Sequence, residues 1–271
     1  MSDLKVAPIP SEIKTKDKRL EQLRVKNLPK LPTTAVILGR VGSGKSSCLY
    51  SLLTEGYVYG DKKKSVFDEM VIYLGNKEST WAFEKIPCKN KVIMHEFDPE
   101  AFEEYLEDLK TCQMERQEAG KAPMNVCIIF DDFAGTQLLK KQKGKPYSPL
   151  ERLVLTSRHE ANATLFFLSQ VYKQSGFSPP SIRANVTTWV LYNMSLPEVE
   201  KFSEEHCNEL SPDEFIAAYN EVMEKPYSFL TVDYRRDLHH RIWNEFKHPV
   251  LLPPQDEIKK LKSKQKDAEE K

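Results

Sequence analysis

Eight consecutive residues, Gly39 to Ser46, read GRVGSGKS and fit the pattern G-x-x-x-x-G-K-[ST] in full. Gly39, Gly42 and Gly44 allow a backbone to curl until its N–H groups converge on one point. Ser43 lies in the curl, Lys45 and Ser46 close it, and Ser47 follows. Such a set suits the phosphates of a nucleoside triphosphate. Backbone amides and a helix N-terminus meet the phosphate oxygens, Lys45 reaches the β- and γ-phosphates, and the Ser46 hydroxyl holds magnesium.

A triphosphate site needs a second element, an acid at the end of a neighbouring buried strand that holds magnesium. The run CIIFDDF supplies two, Asp131 and Asp132. Adjacent carboxylates repel, so the pair requires a division of labour: Asp131 for the metal, Asp132 for polarising an attacking water. A water-activating acid favours hydrolysis over phosphoryl transfer to another substrate. A third apolar run, TLFFLSQ, ends in Ser169 and Gln170. Ligands of open α/β sheets bind at carboxyl strand ends, where Gln170 is placed to sense the γ-phosphate or the water.

The elements needed to position these residues are legible as alternating patterns. Strands are expected over Thr34–Leu38, Glu69–Leu74, Lys91–Glu96, Asn125–Phe130, Thr164–Leu168, Val186–Tyr192 and Tyr227–Tyr234. Helices are expected over Lys45–Thr54, Pro99–Ala119, Pro149–His159, Pro197–His206 and Pro212–Glu224. Continuous apolar strands separated by helices imply a mainly parallel α/β sheet covered on both faces, here a P-loop NTPase fold. The reading divides the chain into a polar basic arm (1–30), an ATPase domain (31–235) and a charged tail (236–271).

Composition narrows the function classes. The 271 residues are 40% apolar, and 40 basic residues balance 40 acidic ones. No bulk positive charge draws the chain to nucleic acid, so any such surface must be local. The loop LLKKQKGKPYSP offers one: Lys140, Lys141, Lys143 and Lys145, with no acid, just after the two aspartates. A solubilising surface loop reads the same way. The five cysteines form no CxxC pair, and the histidines lack zinc spacing. With a polar, lysine-rich start and no apolar run near the roughly 18 residues of a span, a soluble protein in a reducing compartment is expected.

In order along the chain stand a phosphate loop, a strand ending in two acids, an Arg-His pair upstream of an apolar strand, and Gln. This resembles the FtsK/HerA superfamily of ring-forming, DNA-pumping ATPases, with a RecA/FtsK-like core. Within it, SRHEANATLFFLSQVYKQ (157–174) followed by SIRAN (181–185) looks like the poxvirus-type genome-packaging ATPases of large DNA viruses. The resemblance covers roughly residues 31–192. It implies that Lys45 and Ser46 bind ATP and magnesium, Asp131 is the magnesium acid, Asp132 the catalytic base and Gln170 the sensor. It also implies that Arg158, twelve residues before Gln170, is an arginine finger inserted into a neighbour's site, with Arg183 a second candidate. A homo-oligomeric ring of five or six copies follows, acting on double-stranded DNA in the host cytoplasm, a viral factory or the virion, and docked on a capsid or inner-membrane partner. One departure is that many members carry Asp-Glu where this chain has Asp-Asp, shortening the second acid by one methylene, about 1.5 Å. The rival readings are an FtsK/HerA-like translocase or helicase of repair or segregation, and a P-loop nucleotide kinase. The first often carries an extra barrel or membrane segment; the second needs a substrate lid with convergent arginines.

Overall fold

The computed structural model describes residues 28–54, 59, 65–77, 80–132, 138, 140–141, 143–172, 180–206, 210–237 and 240–250. The arm up to residue 27 and the tail beyond 250 lie outside them. The first half of the chain runs β1 (Thr34–Leu38), α1 (Lys45–Thr54), β2 (Glu69–Leu74), α2 (Thr80–Glu84), β3 (Asn90–Met94), α3 (Pro99–Glu118) and β4 (Val126–Asp131). It continues with α4 (Pro149–Thr156), β5 (Ala163–Ser169), α5 (Pro180–Arg183), β6 (Thr188–Leu191), α6 (Leu196–His206), α7 (Pro212–Met223), β7 (Leu230–Asp233), β8 (Ile242–Asn244) and β9 (His248–Pro249).

Helix starts follow local chemistry. Asp98, Ser148 and Ser211 cap α3, α4 and α7, each followed by a proline that fits the first helical position. Ser148 with Glu151, and Ser211 with Glu214, form reciprocal capping boxes.

The strands form one nine-stranded sheet in the order β3-β2-β4-β5-β1-β6-β7-β8-β9. Pairing is parallel from β3 to β6 and antiparallel from β6 onward. Strand alternation divides each parallel strand between two cores. Val36 and Leu38 join one, with Phe102 of α3, Leu153 of α4, Phe202 of α6 and Phe215 of α7. Ala35 and Ile37 join the other, with Leu49, Leu52 and Leu53 of α1 and Phe83 of α2. Both faces of the central strands are therefore covered, which is why they read as unbroken apolar runs. On one face Tyr73, Phe130 and Phe167 stack across β2, β4 and β5, with centroids 4.9 and 5.2 Å apart and rings within 7° of parallel.

Two expectations are corrected. The sheet does not stop at residue 235, because β8 and β9 extend it to Pro249. With three and two residues they are too short to carry a hydrophobic period, which is why 236–250 passed for tail. And the strand bearing the two aspartates is not next to β1: β5 lies between them.

Candidate active site

The insertion of β5 between β1 and β4 decides the site's geometry. It brings three carboxyl ends side by side: Leu38 leading into the glycine loop, Asp131, and Ser169 leading to Gln170. The loop is anchored on both sides, Gly39 N donating to Ser169 O (3.1 Å) and Arg40 N to Asn193 O (3.2 Å). Gly39 cannot be replaced without rebuilding this corner, since a β-carbon there would lie 2.5 Å from Tyr192 Cβ. Gly44 has φ +103°, in the range that favours glycine.

The loop opens on a cavity of about 920 Å³ whose lining includes Gly42 to Ser47, Asp131 and Asp132. Lys45 Nζ bends back onto the carbonyls of Gly39 (2.7 Å) and Arg40 (3.0 Å). Burial lowers its pKa, against the raising influence of Asp132 and Asp131. Ser46 Oγ donates to Asp131 Oδ2 at 3.2 Å across 85 positions of sequence. Asp131 is 5% exposed. Burial first, and the Asp132 charge second, raise its carboxyl to about 6, against the lowering effects of the Ser46 hydrogen bond and Lys45.

Successive residues of a strand point to opposite faces, so Asp131 and Asp132 should not share a cavity. They do, because Asp132 has φ +48°, the left-handed conformation that aspartate adopts more readily than most residues. Asp132 N still continues the ladder to Leu168 O (3.1 Å), while its side chain turns toward the cleft. There Gln170 Nε2 donates to Asp132 Oδ2 at 2.8 Å. The structure thus brings together Lys45, Ser46, Asp131, Asp132 and Gln170.

The donors fit magnesium. A serine hydroxyl and a buried carboxylate are hard oxygen ligands, and the raised Asp131 is a carboxylate short of positive charge. Among the described residues no cluster of three or more His, Cys, Asp or Glu forms a self-contained metal cage.

Arg158 stands elsewhere. It follows α4 and precedes β5, at the amino edge of the sheet, while Gln170 follows the carboxyl end of the same strand. The seven residues of β5 span roughly 20 Å, so Arg158 cannot serve the cavity of its own chain. Arg235, just after β7, lies on the same edge and donates to the carbonyls of Lys30 and Pro32 ahead of β1. Burial first, and the Arg158 charge next, lower the Arg235 pKa.

Arg183 is held within its own chain. Its side chain is 14% exposed, ion-paired to Glu205 at 2.8 Å, and lies over the Tyr172 ring. Release would leave Glu205 and the adjoining Tyr172–His206 hydrogen bond without their cation. The loop lysines Lys140, Lys141, Lys143 and Lys145 are exposed, and Lys145 also bonds Glu103 at 2.6 Å. The described cysteines Cys48, Cys88, Cys112 and Cys127 are free. No helix among the described residues is long and apolar enough to cross a membrane.

Sequence reasoning missed the far end of the cavity. It is lined by Tyr192, Tyr227, Phe229, Glu245, Phe246 and Lys247, most of them from the antiparallel extension. The only sequence signal was the aromatic content of KPYSF and NEFKH.

The fold is thus a mainly parallel α/β sheet flanked by helices, with the glycine loop of the G-x-x-x-x-G-K-[ST] pattern at the carboxyl end of β1. No family model and no curated protein matches the sequence. Solved structures do resemble it. The DNA-packaging ATPase B204 from Sulfolobus turreted icosahedral virus superposes with a TM-score of 0.49 at 16% identity, over 76% of this chain and 94% of that one. The genome-packaging NTPase B204 of Sulfolobus turreted icosahedral virus 2, in complex with ATP-γ-S, gives 0.45 at 20% identity, over 82% and 99%. ATPases 2 and 3 of EssC from Geobacillus thermodenitrificans give 0.48 at 15% identity, over 74% of this chain and 38% of that one.

Proposed function

We propose that the protein is a magnesium-dependent ATPase whose hydrolysis drives double-stranded DNA through a ring of identical subunits, packaging a viral genome. The observation that carries the hydrolytic part is the meeting of Ser46 with Asp131 and of Gln170 with Asp132 at the mouth of one glycine loop. Lys45 exchanges its two loop carbonyls for β- and γ-phosphate oxygens. Ser46 and Asp131 would hold magnesium, which would supply positive charge against that developing on the phosphates. Asp132 accepts the proton of the attacking water, and Gln170, bonded to that carboxylate, orients water and acid together.

The ring reading is supported by the position of Arg158. An arginine on the sheet edge remote from its own cavity suits a neighbour's site, where it would stabilise transition-state charge by a factor on the order of 10³ or more. The DNA reading rests on the sequence resemblance to genome-packaging ATPases and on exposed Lys140, Lys141 and Lys143, close in sequence to the strand bearing Asp131. Such lysines meet phosphates without reading bases. ATP turnover with and without linear duplex DNA, in wild type and Lys45→Ala, tests the proposal. Stimulation by duplex and loss of turnover in the variant are expected; turnover that ignores duplex DNA would sink the motor.

A further inference from the structure

The cavity has two unlike ends. One holds the loop amides, Lys45 and the two aspartates; the other is built of rings. Tyr192 follows β6, Tyr227 and Phe229 precede β7, and Phe246 lies between β8 and β9. The Phe229 centroid is 5.1 Å from Tyr192 and 5.0 Å from Phe246. Tyr192 and Phe229 are buried, but Tyr227 is 73% exposed.

A single exposed tyrosine is ordinary, but this one has two unusual properties. Its φ is +62°, a conformation that costs a bulky residue energy and is concentrated at functional sites. Its ring also stands over the phosphate loop, where a β-carbon on Gly44 would lie 3.5 Å from both the Tyr227 and Tyr192 rings. Glu245, on the same lining, is likewise left-handed at φ +54°, and its N–H donates to Phe229 O at 2.8 Å. The antiparallel extension therefore places two non-glycine residues in left-handed conformations, both lining the cavity that begins at the loop.

We propose that the aromatic end is a nucleobase subsite, in which Tyr227 stacks on the base of the nucleotide whose phosphates lie along Gly39–Ser46. The proposal rests on the nucleotide reading of that loop and adds what recognises the rest of the molecule. The lining also carries Ser47, Ser51 and Asn76, while the charged groups at this end pair with each other. Glu245 Oε2 and Lys247 Nζ bond each other at 2.5 Å, and the Cys48 thiol is engaged with Tyr192. Recognition is then by the ring face, which every base possesses, rather than by its edge. Stacking on a ring face discriminates weakly between bases, so adenine and guanine nucleotides share it.

Equilibrium binding of magnesium complexes of ATP-γ-S, GTP-γ-S and inorganic tripolyphosphate tests this in wild type, Tyr227→Ala, Tyr227→Gly, Tyr227→Trp and Lys45→Ala. Loss of one stacking partner weakens both nucleotides about tenfold in the Ala and Gly variants. Tripolyphosphate, which has no base, binds unchanged, and Trp retains nucleotide affinity. The Gly variant guards against misfolding, because glycine accepts positive φ and keeps the melting temperature at or above wild type. Unchanged ATP-γ-S affinity in both Ala and Gly variants, with affinity abolished in Lys45→Ala, overturns the subsite and spares the phosphate reading. An equal loss for tripolyphosphate also overturns it, since Tyr227 would then merely support the loop. Wild type that binds none of the three, or Lys45→Ala that binds them all, overturns the nucleotide reading itself.

Discussion

Replacing Asp131 by asparagine should stabilise the nucleotide-free protein at neutral pH while ending its use of ATP. Burial and the Asp132 charge raise the Asp131 carboxyl from 3.8 to about 6, which corresponds to about 3 kcal/mol. The folded protein holds this proton more tightly than the unfolded chain does. The resulting stability is fully present below about pH 4 and is lost as pH rises through about 6. At pH 7 the empty site therefore carries an uncompensated buried charge, which asparagine removes while keeping an acceptor for Ser46 Oγ. His206 works in the opposite sense. Burial pushes its pKa from 6.5 down to about 4, so the unfolded chain takes up that proton first, and stability falls as pH drops from about 6.5 toward 4. Both proteins carry His206, so the informative quantity is the difference between them. Urea denaturation at pH 7, 6, 5 and 4 should show the variant more stable by about 1–3 kcal/mol at pH 7, the gap closing by about pH 4. Magnesium with ATP-γ-S should stabilise wild type and not the variant. A variant less stable than wild type at pH 7, or a gap independent of pH, would refute the claim that Asp131 is strained by its charge.

Two further perturbations address the chemistry. Asp132→Asn should bind ATP-γ-S as wild type does but lose turnover about 100-fold or more, read by phosphate release in single-turnover mixing; full activity would remove the base role. Arg158→Ala should lose turnover by a factor on the order of 10³ with nucleotide affinity little changed. Mixing it with Lys45→Ala subunits should restore part of the activity, since intact cavities then meet intact arginines; mixtures as dead as their parents would leave Arg158 without a role in trans.

Much of the fold could be read from the sequence because the physics was local. Strands buried on both faces leave continuous apolar runs, as Val36 to Leu38 and Ile128 to Phe130 do. Prolines after Asp98, Ser148 and Ser211 mark helix starts. The phosphate loop is legible because Gly42 and Gly44 take the positive φ that glycine adopts most readily. What stayed hidden depends on contacts distant in sequence or on single dihedral angles. Nothing local says that β5 lies between β1 and β4, yet that order brings Gln170 within 2.8 Å of Asp132. The puzzle of two adjacent acids facing one cavity is settled by the left-handed turn at Asp132, which no pattern of residue types encodes. The ion pair of Arg183 could not be read from the sequence because Glu205, its partner, lies 22 positions away on α6. The aromatic end of the cavity escaped notice because Tyr227, Phe229 and Phe246 belong to short segments that find their place only by pairing onto β6 and β7.

The central claim is that ATP hydrolysis at this site moves the protein along duplex DNA. Displacement of a fluorescent third strand from a duplex tests it most directly, because an advancing motor strips the triplex without needing to open the duplex. Wild type with magnesium and ATP should displace the strand, while ATP-γ-S in place of ATP, Lys45→Ala and Arg158→Ala should leave it bound. ATP consumed at the same rate with and without duplex, and a triplex left intact throughout, would contradict the account.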